Sequence, residues 1–337
     1  MPGHAQDDVP DDAPWMRLAV ITPAHNRHEL TARSAVSVLA ELRPTDDYIV
    51  VDDGSRPPLE STGLLPDMGL QGRLLRHETN RGVLAARNTL LRAVPQDAEW
   101  VLMLDSDDRL LPGWRVLLDG EMAAPDSVGL LWFDRIKEDE GTVDGFIPVP
   151  GQAITLDTLC SGRVRGNFIP VVRRSLIEDF AFDERAWGWE GVLWARVLAQ
   201  TDGRHVPVPI ATGPTNGVRA DSASAVDANH APDRARGLAI GAEEYIETLS
   251  PLLAIHYPDH YRDMRLTALT WRVIAGDASM AQVVQARADL TGATRAQQVR
   301  WLSLVAAAAL PYGIRRSLLA RRSRARAGSQ TPSGEGD

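Results

Sequence analysis

The chain has 337 residues, 44% of them apolar and 24% charged, a composition suited to a soluble globular protein that can bury a core in one large domain or two. A net charge of −9 excludes a general nucleic-acid binder, because no overall positive field is present to hold a phosphate backbone. Cys160 is the only cysteine, which excludes an internal disulfide and a cysteine-rich zinc site.

The charge is unevenly spread. Asp7, Asp8, Asp11 and Asp12 make the beginning acidic, whereas Arg315, Arg316, Arg321, Arg322, Arg324 and Arg326 make the end basic. Met1 to Pro14 carries no apolar stretch, so it reads as a disordered leader and not as a signal peptide. Arg17 to Thr22 is a compact apolar strand that ends in Pro23, Ala24, His25 and Asn26. Helical periodicity follows through Leu30, Ala35, Val38 and Leu39. A second strand, Tyr48 to Val51, ends in Asp52-Asp53-Gly54-Ser55, and Arg73 to Arg76 is a weaker third. Asn80-Arg81-Gly82 opens a helix running to about Arg92. Trp100 to Leu104 is a fourth strand, and it runs directly into Asp105, Ser106, Asp107 and Asp108.

Further on, Val128 to Phe133 reads as a strand and Arg135 to Phe146 as a charged surface hairpin. Gly162 to Arg174 reads as loop plus strand, and Val192, Trp194, Ala195 and Leu198 mark one face of a helix. Pro207 to Ile210 is a short strand. From about Asp233 the pattern is helical, with breaks expected at Ser250-Pro251, Pro258 and Gly276-Asp277. Short apolar strands alternating with helices indicate a parallel α/β sheet. Ligands bind such sheets outside the carboxyl ends of the strands, and the polar loops named above all leave those ends. The division expected is a leader at 1–15, an α/β domain at 16–220, a helical region at 221–312 and a partly disordered basic tail at 313–337.

Three carboxylates within four positions repel one another at the end of a buried strand unless something positive sits there. Mg²⁺ or Mn²⁺ would answer, since hard cations prefer carboxylate oxygens. The alternative is a solvated acidic turn with Asp108 capping a helix that begins near Pro112.

Four segments in order, Leu18-Ala-Val-Ile-Thr-Pro-Ala-His-Asn26, Ile49-Val-Val-Asp-Asp-Gly-Ser55, Asn80-Arg-Gly-Val-Leu-Ala-Ala-Arg-Asn88 and Leu104-Asp-Ser-Asp-Asp108, resemble the nucleotide-sugar-dependent glycosyltransferases of family 2. The resemblance covers about residues 16–200 and is best before 112. It implies a GT-A fold, a Rossmann-like, mainly parallel sheet flanked by helices, here with a helical C-terminal extension. It also implies sugar transfer from a UDP-, GDP- or dTDP-linked donor to a saccharide, lipid-linked or other hydroxyl acceptor, usually with inversion and with Mn²⁺ or Mg²⁺ as cofactor. By position, Pro23, Ala24, His25, Asn26, Asp53, Gly82, Arg87, Asp105 and Ser106 would bind the nucleotide sugar. Asp53 would accept from the base, and Arg87 would pair with phosphate or with Asp53. Asp107 would be the direct metal ligand, with Asp105 facing the ribose or a metal-bound water and Asp108 ligating or capping.

The family's base usually comes from a Glu-Asp pair at a late helix start, where Glu190-Gly191 stands, so Glu190 is the first candidate and Asp183 or Glu184 the second. Two departures stand out: His25 replaces the usual Tyr, and Gly191 replaces Asp. Trp187 and Trp189 are the candidates for stacking on an acceptor sugar, and His230 is a candidate phosphate or metal contact. His256 and His260 lack a supporting carboxylate motif for zinc. Trp301 to Ile314 is too short to span a bilayer. With the arginines after it, the segment reads either as an interfacial helix on anionic lipid or as a core helix with a solvated tail. The location expected is the cytoplasm, with peripheral contact at the inner face of the membrane. Two rival functions remain: a nucleotidyltransferase, against which the Pro23-Ala-His-Asn26 loop argues, and a degenerate sugar-nucleotide-binding scaffold, for which Gly191 argues.

Overall fold

The computed structural model describes residues 16–123, 125, 127–215, 231–311 and 314. The first half alternates strand and helix: β1 (Leu18–Ala24), α1 (His28–Leu39), β2 (Asp47–Asp53), β3 (Gly72–His77), α2 (Val83–Ala93) and β4 (Trp100–Met103). Then come β5 (Arg109–Leu110), α3 (Trp114–Met122), β6 (Val128–Lys137), β7 (Ala153–Ile154), α4 (Leu156–Cys160), β8 (Ile169–Arg173), α5 (Gly191–Leu198) and β9 (Asp202–Gly213). All nine strands join one sheet in the order β3-β2-β1-β4-β8-β6-β9-β5, with β7 paired to β9.

Strands β3, β2, β1 and β4 are mutually parallel, so their carboxyl ends share one edge. The other half is mixed, because β8 runs antiparallel to both β4 and β6 while β6 and β9 run parallel. Period-two alternation divides the core between the two faces. Ala19, Ile21, Ile49, Val51, Val101 and Met103 face α2 and α5, whereas Leu18, Val20, Tyr48, Val50, Trp100 and Leu102 face α1 and α3.

Behind the sheet lie α6 (Pro232–His256), α7 (Pro258–Ala275), α8 (Met280–Gln285) and α9 (Arg295–Ala308). Tyr245, Ile246 and Leu249 of α6 pack on Val192 and Ala195 of α5, so this helix joins the helical part to the sheet. The break expected at Pro251 does not occur: α6 runs through it and ends at His256. Packing on α5 and α7 outweighs the one backbone bond that proline removes. Breaks do fall at Pro258, which starts α7, and at Gly276, whose φ of 86° ends it. The domain boundary expected near 220 falls on 216–230, outside the described residues, as do the leader and most of the basic tail.

Two local expectations are corrected. Asp108 does not cap α3; Glu41 does, accepting from Gly113 N at 2.6 Å and Arg115 N at 3.2 Å. The hairpin expected from Arg135 does form, with Ile136 bridging Val143 antiparallel and Asp144 N donating to the Arg135 carbonyl at 2.8 Å, but Arg135 itself is carried inward by β6 to 3% exposure and is not at the surface.

Candidate active site

The loops after β1, β2 and β4 converge on the shared carboxyl edge. Asn26 adopts a left-handed conformation (φ 53°), tolerated because its short amide hydrogen-bonds locally. Its N–H donates to Ser55 Oγ at 2.9 Å and its Oδ1 accepts from Arg56 N at 2.8 Å, tying the first loop to the second. His25 donates from Nδ1 to the Asp53 carbonyl at 2.8 Å, which leaves Nε2 to accept from Asn26 Nδ2 at 2.9 Å. Asp52 holds its own turn: Ser55 N and Leu59 N donate to it at 2.8 and 3.0 Å, and Arg76 pairs with it. Burial opposes its charge, but these donors and the guanidinium outweigh burial and hold the carboxyl below its ordinary value.

Asp53 is 3% exposed and accepts from Arg81 N at 2.9 Å, Gly82 N at 2.8 Å and His77 Nδ1 at 2.7 Å. It therefore anchors the start of α2, where Gly82 stands at φ 96°, and keeps capacity for one further donor.

Arg87 lies inside α2's buried face, 5% exposed. It does not pair with Asp53. Its guanidinium joins Asp105 at 2.9 Å and Glu190 at 2.8 Å, and its Nε is buried without a partner. The other two carboxylates of the cluster also have their own arginines. Asp107 pairs with Arg27. Asp108 accepts from Arg135 Nε at 2.7 Å, while Arg135 also reaches Asp144 at 2.7 Å and the Pro214 carbonyl at 2.8 Å. Burial raises the Asp107 carboxyl, and neighbouring Asp105 adds to the rise. Burial pushes Asp108 up to about 8 against the pull of Arg135, with Asp105 and Asp107 contributing.

Among the described residues no three acidic, histidine or cysteine side chains converge to enclose a cation. The donor chemistry still suits a hard cation at Asp105, whose side chain is 55% exposed, and at Asp107. Surplus negative charge of this kind is what a cation relieves. Asp108 is consumed by Arg135.

Two cavities meet here. The larger, about 410 Å³, is lined by Pro23, Ala24, His25, Asp53, Gly82 and Ser106, with Trp187 and Arg234 opposite. The smaller, about 270 Å³, is lined by Trp132, Asn167, Phe168, Trp194, Asp107 and Asp108. Arg87, Asp105 and Glu190 line both and form the wall between them. Burial and Asp105 raise the Glu190 carboxyl, and Arg87 opposes the rise. At Gly191, which follows it, a Cβ would stand 3.3 Å from the Tyr245 ring, so a longer side chain would need that ring to give way.

Neither Asp183 nor Glu184 reaches either cavity. Asp183 is clasped by Arg185 at 2.6 Å, and Glu184 is held by Arg81 at 2.8 Å and Asn88 at 3.2 Å. These partners keep both carboxyls below their ordinary values. The tryptophans also part company. Trp187 faces the larger cavity, while Trp189 packs on Tyr245 of α6 and lines neither. Trp194, read from helical spacing as core, lines the smaller cavity edge-on to Trp132. His230 lies outside the described residues. Sequence reading missed Arg135, Arg234, Trp132 and Phe168; none sits in a motif.

A third cavity of about 720 Å³ lies among α6, α7 and α8. Its Arg272 is paired with Glu243 and Asp277, so those charges are balanced internally.

Residues 19–148 match the sequence profile described as glycosyl transferase family 2. The succinoglycan biosynthesis protein ExoU of Rhizobium meliloti is 29% identical over 199 residues, 54% of this chain and 57% of that protein. The GalNAc(5)-diNAcBac-PP-undecaprenol beta-1,3-glucosyltransferase of Campylobacter jejuni is 26% identical over 190 residues, 55% of this chain and 60% of that protein. The match thus spans under two thirds of either relative. Among solved structures, S. aureus TarS superposes with a TM-score of 0.51 at 14% identity, over 87% of this chain and 55% of that one. TarS 1–349 in complex with UDP-GlcNAc gives 0.50 at 14% identity, over 92% of each chain. At that identity the likeness is one of fold.

Proposed function

We propose, from the premise that this chain is a family 2 glycosyltransferase with the GT-A fold, that it moves a sugar from a nucleoside-diphosphate sugar to an acceptor hydroxyl with inversion. One observation carries the reading: two cavities share a wall made of Arg87, Asp105 and Glu190. The donor occupies the larger cavity, with its nucleoside against Pro23, Ala24, His25 and Asp53, and its diphosphate toward Gly82, Asp105 and Ser106, while Asn26, which does not line the cavity, braces the loop. The acceptor occupies the smaller one, where Trp132, Phe168 and Trp194 offer aromatic faces to a sugar ring.

Glu190 is the base. It takes the proton of the acceptor hydroxyl as that oxygen bonds to the anomeric carbon, and the bond from that carbon to the diphosphate breaks on the opposite side. The nucleoside diphosphate leaves with the electron pair. A carboxyl raised by burial suits this task, because a base works best with a pKa near the working pH. Arg87 holds Glu190 in place and opposes the rise of its carboxyl. Asp183 and Glu184 shape the preceding loop. A divalent cation, Mn²⁺ or Mg²⁺, held by Asp105 and Asp107 would neutralise charge on the diphosphate.

For the acceptor, the relative acting on an undecaprenol-linked saccharide supports a polysaccharide or glycolipid under assembly. No described helix is long and apolar enough to cross a membrane. Contact with lipid would fall to α9, which leaves Val299 and Leu302 exposed 49% and 57%, one turn apart on its outer face.

Nucleotide release from UDP-, GDP- and dTDP-sugars, with Mn²⁺ or with chelator, tests the reading. Glu190→Gln is expected to lower kcat by about a hundredfold to ten-thousandfold while donor KM stays within about twofold. Asp107→Ala should abolish the metal response. Equal turnover by Glu190→Gln would remove it as the base, and equal rates with chelator would remove the cation.

A further inference from the structure

Arg234 stands in the first turn of α6, outside every segment that carries the family resemblance. Its guanidinium lies over the Trp187 ring, 4.1 Å from Cζ to the ring centroid, and both side chains line the larger cavity. The helix comes this close because residue 237 is glycine: a Cβ there would stand 2.9 Å from Trp187 Cβ and 3.0 Å from the Arg185 carbonyl oxygen.

The cations around this cavity differ in their company. Arg87 is shared by Asp105 and Glu190, and Arg27 is paired with Asp107. Arg234 has no carboxylate partner among the described residues. Partial burial draws its pKa below the ordinary guanidinium value, and no neighbouring acid raises it again. Its neighbour Asp233 turns to Arg236 instead. A cation in the first turn of a helix also opposes the helix dipole. The side chain is thus held in an unfavourable field by stacking alone, at the rim of a cavity read as the donor site. An anion in that cavity would relieve both costs at once.

We propose that Arg234 binds the diphosphate of the donor. The inference rests on the nucleotide-sugar reading above. Stacking on Trp187 fixes the plane of the guanidinium and leaves its N–H edge free to meet two phosphate oxygens side by side, a geometry a lysine cannot reproduce. The helical part thereby supplies a phosphate ligand to a cavity whose floor is built by the sheet, and it offsets charge on the nucleoside diphosphate as that group departs.

Calorimetric binding of UDP, GDP and dTDP to the full chain, beside uridine, guanosine and thymidine, tests it. For whichever diphosphate the wild type binds, Arg234→Ala is expected to weaken affinity by about tenfold to a hundredfold, leaving the matching nucleoside within about twofold. Arg234→Lys should recover part of the loss. Arg234→Gln, which keeps the aliphatic stem and a planar polar end without the charge, should behave like the alanine variant and guards against a folding defect. Unchanged diphosphate affinity in both neutral variants overturns the proposal, and so does an equal loss for nucleoside and diphosphate. A wild type that binds none of the three diphosphates refutes the donor reading itself, a result distinct from either.

Discussion

The two edges of the parallel half-sheet use the same residue types to opposite ends. At the amino edge, Asp46 is closed in by Arg115 at 2.8 Å, Leu18 N at 3.0 Å and Arg43 N at 3.1 Å. Arg17 pairs there with Asp47 and Asp97, and Asp119 with Arg43 and Arg115. Every one of these charges meets its opposite, and none of them lines the three cavities described above. At the carboxyl edge the balance fails. Asp107, Asp108 and Glu190 are raised by burial and by Asp105, and Arg234 stands without an acid. Completed pairs hold the fold together, while unmatched charges mark where a ligand would bring the missing partner.

The largest effect that would break this contrast lies at the amino edge. Asp46→Asn takes from Arg115 its fully buried counter-charge and leaves it Asp119 alone, at a cost of about 3 kcal/mol, while turnover per folded molecule stays unchanged. Chemical denaturation beside an activity assay measures both, and a fall in turnover with stability intact would contradict the division. At the other edge Glu190→Gln should do the reverse and lower turnover without lowering the melting temperature.

Asp52 sharpens the comparison because it sits at the carboxyl edge yet is fully paired. Its folded pKa is depressed, so its contribution is complete above the ordinary carboxylate value and is lost as pH falls through the folded value. Asp52→Asn should cost about 1.5–3 kcal/mol near neutral pH and flatten the loss of stability on acidification below about pH 4. Identical acid unfolding profiles for the two proteins would refute this. The smallest effect belongs to the acceptor cavity, where Phe168→Leu should raise acceptor KM by about twofold to tenfold with donor KM unchanged.

Much of the site could be read before folding was considered. Short apolar runs, Leu18 to Thr22 and Tyr48 to Val51, located the strands, and the polar runs after them located the edge. Glu190 could be singled out as the candidate base despite Gly191; the structure adds that it lines both cavities and that a Cβ at 191 would press on the Tyr245 ring. What misled was inference about partners. Arg135 looked like surface because charges follow it, yet β6 carries it to Asp108. Trp189 and Trp194 are five positions apart on a turn and a helix, and only the packing of α6 decides which of them faces a cavity.

The sequence by itself determined the succession of the first strands and helices along the chain and the clustering of acid at the ends of those strands, because these follow from local periodicity and turn chemistry. Only the tertiary structure decided which arginine meets which carboxylate. Those pairs join residues far apart in the chain, as with Arg115 and Asp46, 69 positions apart, and no local pattern records them. The same holds for Arg234, whose lack of a carboxylate partner among the described residues is a property of the assembled cavity and of no segment within it.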